Sequence, residues 1–230
     1  MSSSRLWAVV PAAGSGRRFG GATPKQYLKL LNKPIMLHSI DRLFALPLDG
    51  CVIAISADDD VAATLDYEHT HALHFVVGGA ERMDSVLAGL DFLQDQAASD
   101  DWVLVHDVAR PCITSASLIK LHETLVNDAV GGILAIPVRD TLKKAHGDQV
   151  VTTVARDQLW QAQTPQMFRF GLLRAALMTA RNQNLKVTDE ASAIELAGFS
   201  VKLIEGRMDN IKVTYADDLA LAEAILQSQE

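Results

Sequence analysis

Leu6-Trp7-Ala8-Val9-Val10-Pro11-Ala12-Ala13-Gly14-Ser15-Gly16-Arg17-Arg18-Phe19-Gly20, followed closely by Pro24-Lys25-Gln26-Tyr27, is the stretch from which the fold can be read. The apolar run Leu6 to Val10 breaks into a small-residue loop carrying three cations, Arg17, Arg18 and Lys25. Glycine and alanine let backbone N–H groups come close to an anion, and the cations neutralise it. A loop of this kind at the end of a strand suits a polyphosphate. The glycines are spaced GxGxxxG, so the loop is neither the dinucleotide fingerprint GxGxxG nor a Walker A loop, which needs Gly-Lys-Ser/Thr. Adjacent Arg17 and Arg18 suit a triphosphate better than a dinucleotide. A solvated basic loop is the competing reading.

Short apolar runs recur along the rest of the chain: Cys51–Ser56, Leu73–Val77, Trp102–His106, Gly132–Pro137 and Val201–Glu205. Between them lie helical patterns over Met36–Leu46, Asp59–Asp66, Glu81–Leu93, Thr114–Asn127, Gly171–Gln183 and Tyr215–Gln227. Strands apolar on both faces and alternating with helices predict a parallel sheet covered by helices. In such sheets ligands sit beyond the carboxyl ends of the strands. The motif-rich segments fall there: residues 14–25 after the first strand, Gly78-Gly79 after the third and Asp107–Pro111 after the fourth. One region breaks the alternation. Between Arg139 and Arg156 two β-prone arms flank His146-Gly147-Asp148, which predicts a hairpin. A lone two-stranded hairpin is marginal in water, so Val150, Val151 and Val154 want a partner surface on this chain or a second copy.

Bulk properties narrow the function. A chain of 230 residues hides roughly 70–75% of its unfolded surface on folding and needs no staple. With 49% hydrophobic and 21% charged residues it has an ordinary globular composition. A net charge of −7 argues against non-specific nucleic-acid binding, so cations that serve an anionic ligand must be concentrated in one place. Cys51 and Cys112 stand far apart and form no metal or redox motif, which suggests a reducing compartment. The opening Met-Ser-Ser-Ser-Arg-Leu-Trp lacks the apolar run of a secretion signal, no segment is long enough to span a bilayer, and the expectation is a cytoplasmic protein.

Several motifs carry chemistry. Arg18 and Lys25 share one loop and could clamp a phosphate chain. Gly78-Gly79-Ala80-Glu81-Arg82-Met83-Asp84-Ser85 opens a helix; it is either a plain turn with a helix-favouring acid or a site whose backbone and Ser85 bond a base and its sugar. His106-Asp107-Val108-Ala109-Arg110 puts a carboxylate and a guanidinium past a buried strand. Asp107 could stand beside a hydrated Mg²⁺ or form a structural pair with Arg110. Thr188, before Asp189 and Glu190, reads equally as a helix N-cap. Lys212 is a further cation near a strand end. His69, His71 and His74 cluster without acid or cysteine ligands at regular spacing, which favours a surface loop over a metal site.

Taken together, these runs closely resemble the 2-C-methyl-D-erythritol 4-phosphate cytidylyltransferases of the non-mevalonate isoprenoid pathway. The matching segments are residues 11–18, 24–27, 78–86, 105–111, Asp140-Thr141, Gln163-Thr164-Pro165-Gln166, 188–193 and 209–214, nearly the whole chain in family order. Val108 departs from the alanine common in the family, and Ala80 from an aspartate found in some members. The resemblance implies a Rossmann-like three-layer α/β sandwich with a mostly parallel sheet and a protruding hairpin arm at about 139–156, all within one nucleotidyltransferase domain. It implies transfer of CMP from CTP to 2-C-methyl-D-erythritol 4-phosphate, with Mg²⁺ and release of pyrophosphate. Carried onto this sequence, Arg18, Lys25, Arg156 and Lys212 would be catalytic. Ala12, Ala13, Gly14, Gly16, Gly79, Ser85 and Asp107 would bind the nucleotide, with Asp107 beside the metal. Arg110, Thr141, Arg156, Thr188 and Lys212 would orient the acceptor, Thr141 and Arg156 reaching a neighbour's site across a homodimer. A ribitol 5-phosphate cytidylyltransferase and an idle nucleotide-binding regulator are the rival expectations.

Overall fold

A computed structural model of the chain describes residues 4–14 and 23–229. Strand β1 (Leu6–Pro11) leads, past a short helical turn at Lys25–Tyr27, to the two-residue strands β2 (Lys29–Leu30) and β3 (Lys33–Pro34) and helix α1 (Ile35–Leu43). Then come β4 (Gly50–Ile55), β5 (Leu73–Val77), α2 (Arg82–Phe92), β6 (Trp102–Val105), α3 (Ser115–Leu125) and β7 (Gly131–Pro137). The hairpin strands β8 (Leu142–His146) and β9 (Gln149–Val154) are followed by β10 (Trp160–Arg169), α4 (Phe170–Asn182), α5 (Glu190–Leu196), β11 (Lys202–Glu205) and α6 (Asp218–Ser228).

Seven strands form the central sheet in the order β11-β7-β10-β6-β1-β4-β5. All neighbouring pairs are parallel except those of β10, which runs antiparallel to both β6 and β7. Period-two alternation in β1 explains the layers. Leu6, Ala8 and Val10 pack with Met36 and Ile40 of α1 and Leu118 and Leu121 of α3 on one face. Trp7 and Val9 pack with Val86 and Leu90 of α2 and Leu173 and Leu177 of α4 on the other. Each buried valine, leucine, isoleucine or methionine among them contributes about 1.5–3 kcal/mol by leaving water. Gly89 lets α2 lie close on β1: a Cβ there would meet Val9 Cγ1 at 2.7 Å. A third cluster, with Leu30, Ile35, Val213 and Leu226, seats α6 beside the sheet.

The alternating pattern predicts this sheet well, with two exceptions. Residues 59–66 are not a helix; only Ala62–Thr64 make one 3₁₀ turn. The Asp59 carboxylate accepts from Val61 N and Ala62 N, and that local capture of backbone donors replaces a helical start. The antiparallel β10 is the second departure. It carries a register shift between Ala162 and Gln166, where the Thr164–Pro165 peptide is cis. The predicted hairpin is present as β8 and β9, paired with each other as a separate two-stranded sheet. Gly147, at φ +59°, turns the chain, and β9 is exposed along its length.

The order β6-β1-β4 is what places the site. From β1 the chain goes to β4 and β5 on one side, then returns to β6 on the other. The carboxyl ends of β1 and β6 therefore open a crevice at the point where the strand order reverses.

Candidate active site

That crevice is a cavity of about 300 Å³ lined by Ala12, Ala13 and Gly14 after β1, Lys25 and Gln26, Gly79 to Arg82 at the start of α2, Asp107 to Ala109 after β6, and Lys212 and Thr214. Each wall has a local cause. Gln26 Nε2 donates to Ala12 O at 3.2 Å and anchors the Lys25 turn to β1. Lys25 Nζ donates to Val213 O at 3.0 Å, so this lysine reaches the segment that carries Lys212. Val213 N donates to Ala109 O at 2.8 Å and ties that segment to the loop after β6. Three stretches far apart in sequence are thereby drawn onto one cavity.

Its electrostatic centre is Asp107, which is buried. Arg82 Nε donates to Oδ1 at 2.9 Å and Lys212 Nζ to Oδ2 at 2.7 Å, while Arg110 Nε stands 3.9 Å from Oδ2. Burial alone would raise the carboxyl pKa; Arg82, Lys212 and Arg110 outweigh it and hold the group well below the usual carboxylate range. Arg82 also makes a fork to Glu190, Nη1 to Oε1 at 2.6 Å and Nη2 to Oε2 at 3.0 Å. With the cavity's Lys25 and Glu81 also counted, four cations stand against three carboxylates, Asp107, Glu190 and Glu81, so the cluster keeps a positive excess of one. This is how a chain of net charge −7 can receive a polyanion.

Behind Asp107 lies a neutral polar layer. Thr164 Oγ1 accepts from Asp107 N at 3.0 Å and lies 3.1 Å from His106 Nδ1. His106 Nε2 is 3.1 Å from Arg110 O, which can only accept, so Nε2 carries the proton and the threonine hydroxyl donates to Nδ1. Burial pushes the imidazolium pKa down to about 4, and the ring is neutral. Gln166 Nε2 donates to Asp189 Oδ2 at 2.8 Å, and its Oε1 accepts from Ala191 N at 2.9 Å, which fixes the start of α5 and with it Glu190.

The sequence-predicted residues distribute as follows. Gly16 and Arg18 lie outside the described residues. Lys25, Asp107 and Lys212 do converge on the cavity. Ala12 lines it, but its N–H is donated to Ala54 O at 2.7 Å, so the backbone cradle expected from Ala12 onward can begin only at Ala13. Among the described residues no atom lies within 4 Å of where a Cβ on Gly14 would stand, so packing against them does not require a glycine there. At Gly79, by contrast, a Cβ would meet Asp84 Cβ at 2.2 Å, and Gly79 N donates to Ser85 Oγ at 3.2 Å. Ser85 is buried and pins the turn that opens α2. Arg110 lies behind the cavity wall, its Nη1 donating to Asn210 O at 2.7 Å. Thr188 is not the N-cap of α5. Asp189 is, accepting from Ser192 N at 3.0 Å, while exposed Thr188 lines an adjoining hollow. Thr141 and Arg156 flank the exposed hairpin, Arg156 bonding Arg139 O, and neither lines the cavity.

Sequence reading missed Arg82, Glu190, Thr164, Gln166 and the supporting part of His106. Arg82 offered one signal: a cation in the first turn of a helix opposes the helix dipole and needs a reason. The histidine cluster is explained by packing. His69 stacks on Phe44 at 4.2 Å and His74 lies 5.0 Å from Phe92, and no metal-binding group of acids, histidines or cysteines occurs among the described residues. Both cysteines are buried and unbridged, with thiol pKa values pushed up to about 12 chiefly by burial.

Comparison with known proteins gives a consistent result. Residues 6–228 match the family described as IspD, 2-C-methyl-D-erythritol 4-phosphate cytidylyltransferase. A relative of that name from Acinetobacter baumannii is 51% identical over 229 residues, covering 99% of this chain and 96% of its own. Among solved structures, the crystal structure of a 4-diphosphocytidyl-2C-methyl-D-erythritol synthase superposes with a TM-score of 0.85 at 37% identity, covering 98% of this chain and 100% of that one. The Francisella tularensis 2-C-methyl-D-erythritol 4-phosphate cytidylyltransferase gives 0.84 at 38%, covering 96% and 100%.

Proposed function

The chain belongs to the 2-C-methyl-D-erythritol 4-phosphate cytidylyltransferase family, and on that footing we propose how its residues divide the work. The reaction moves CMP from CTP to the phosphate of 2-C-methyl-D-erythritol 4-phosphate and releases pyrophosphate, a step of isoprenoid biosynthesis. A phosphate oxygen of the acceptor forms the new bond to the α-phosphorus as the bond to the β-phosphate oxygen breaks. The obstacle is repulsion between two polyanions, so positioning and charge stabilisation dominate.

The observation that carries the assignment is Lys25 and Lys212 lining one cavity with Lys212 held 2.7 Å from buried Asp107. Lys25 is on the side of the β1 loop and serves the triphosphate and the leaving pyrophosphate, with Arg18 of the same loop. Lys212, steadied by Asp107, serves the acceptor phosphate, with Arg110 behind. The open amides of Ala13 and Gly14 face the triphosphate, and the Gly79–Ser85 turn faces the base and ribose. No side-chain nucleophile is needed: Ser85 Oγ is engaged with Gly79 N, and His106 is fully buried.

The donor set also fits Mg²⁺, but only as an ion that arrives with the nucleotide. Asp107 is the carboxylate at the cavity floor, and its two oxygens already accept from Arg82 and Lys212. Mg²⁺ commonly takes one or two carboxylates and several waters besides phosphate oxygens. When bound it would neutralise charge on the triphosphate. We further propose a cytoplasmic homodimer in which Thr141 and Arg156 of the arm complete the neighbour's site; the support is that the arm leaves Val150 and Val151 each 61% exposed. Within the described residues no helix is long and apolar enough to cross a membrane.

Pyrophosphate release from CTP and Mg²⁺ tests the reading, with 2-C-methyl-D-erythritol 4-phosphate set against ribitol 5-phosphate. Preference for the methylerythritol acceptor is expected. Preference for ribitol phosphate, or CTP binding without turnover, would overturn it.

A further inference from the structure

Arg82 and Glu190 have no part in the division of labour above, yet they stand at the middle of the charged cluster. Each is the first residue of its helix, Arg82 of α2 and Glu190 of α5. Glu190 suits that place, but Arg82 works against the dipole of α2, so α2 itself gives no reason for it. Nor does packing alone. A buried ion pair is often no more stabilising than apolar residues of similar volume, and Glu190 is 1% exposed. What the pair does have is direction. Glu190 holds both terminal nitrogens of Arg82, which fixes the guanidinium plane. Arg82 Nε then holds Asp107 Oδ1 at 2.9 Å, and Asp107 Oδ2 holds Lys212 Nζ at 2.7 Å. Arg82 lines both the main cavity and the adjoining hollow of about 460 Å³ that carries Thr188, so the pair forms the partition between them.

We propose that Arg82 and Glu190 are a positioning pair: they fix the Asp107 carboxylate so that Lys212 stays in place for the acceptor phosphate, and they join that wall to the 188–190 segment. This inference rests on Lys212 serving the acceptor. Arg82→Lys keeps the charge and loses the planar fork; Glu190→Gln keeps the shape and loses the charge. In steady-state pyrophosphate release, KM for 2-C-methyl-D-erythritol 4-phosphate should rise about 10-fold or more in each variant while KM for CTP moves less than about 3-fold. A merely structural bridge would lower the melting temperature and leave the ratio of the two KM values at its wild-type value; that result overturns the proposal. Should Arg82→Lys fail to fold, the KM ratio of Glu190→Gln decides. The wild-type enzyme in the same assay separates the two ideas. Its failure to use the acceptor would strike the reading of the reaction, whereas normal wild-type turnover with unaltered KM values in the variants strikes this pair alone.

Discussion

The cavity and the hairpin arm are built on opposite principles. At the cavity, Asp107 and Glu190 are buried, every charged oxygen has a donor, and a second polar layer of Thr164, His106 and Gln166 fixes the geometry from behind. In the arm, among the described residues, β8 and β9 pair only with each other, and all but Leu142 of their residues are exposed. Pre-organised charge needs a rigid surround, whereas a projecting ribbon with exposed valines needs something to cover it. Chemistry that tolerates no misplacement therefore belongs to the cavity. Contacts from the arm can tune binding.

The largest effect should follow from removing a cation that faces the reacting phosphates. Lys25→Ala is expected to lower kcat by about 10²–10³, or about 2.7–4 kcal/mol, on the scale of losing one pre-organised transition-state donor. Steady-state pyrophosphate release measures it. Wild-type kcat in the variant would remove Lys25 from the chemistry and level the contrast between the two regions.

The second effect concerns the cavity floor and is read in stability. His106 is neutral when buried, its pKa pushed down to about 4, against about 6.5 in an unfolded chain. Between those values the unfolded chain binds a proton that the folded chain refuses. Stability should therefore fall as pH drops from about 6.5 to about 4, by roughly 3 kcal/mol in all, and this contribution levels off below. Urea denaturation across that range is the measurement. His106→Gln, which can still donate to Arg110 O, should flatten that part of the curve. An equally steep fall in the variant would place the titrating group elsewhere. Asp107 adds its own loss at lower pH: its folded pKa is depressed, so its contribution is present above the unfolded value of about 3.9 and disappears as pH falls toward the folded one.

The same contrast explains what could be read from the sequence. Strands β1, β4, β6 and β7 were legible because both their faces are largely buried, which leaves an apolar run; β5, a half-buried edge strand, is apolar enough to read the same way. β10 was not, because it begins Trp160-Gln161-Ala162-Gln163-Thr164-Pro165-Gln166. Those polar residues are retained for tertiary bonds: Thr164 to Asp107 N, Gln166 to α5, Gln163 Nε2 to Arg207 O at 2.8 Å. Local propensity cannot register a partner many residues away. Lys25 was legible because it follows the small-residue loop after β1 and the rigid Pro24. Arg82 and Glu190 were not, since each reads as an ordinary charge at a helix start and only the approach of α5 to α2 reveals the fork. Thr188 read equally as an N-cap, and the cap moves one residue on to Asp189 because Ala191 N, the amide Thr188 would have taken, donates to Gln166 Oε1.

A third, smaller effect should come from the arm. Arg156→Ala is expected to raise KM for 2-C-methyl-D-erythritol 4-phosphate by about 10-fold, with KM for CTP nearly unchanged, as removal of one exposed acceptor contact would. If the arm serves a neighbour, mixing Arg156→Ala with Lys25→Ala chains should restore part of the activity, since some mixed dimers then hold one intact site. Equal rises in both KM values, or no recovery on mixing, would put Arg156 outside the acceptor site or in its own subunit's.

Glycines provide the finest comparison. At Gly79 an added Cβ would fall 2.2 Å from Asp84 Cβ, and at Gly147 the arm turns with φ +59°, so both positions have a conformational or packing reason to lack a side chain. Gly14 has neither a positive φ nor, among the described residues, any atom within 4 Å of where a Cβ would stand. Gly14→Ala should therefore leave stability within about 0.5 kcal/mol of the wild type, as substitutions away from packing constraints do. Open space at the end of β1 is still valuable if a phosphate must reach the backbone amides there, because a methyl group would stand in its path. KM for CTP should then rise a few-fold while KM for the acceptor stays put, with thermal melts confirming an intact fold. An unchanged KM for CTP would move the triphosphate away from Gly14 and leave the cations, not the backbone, as what holds it.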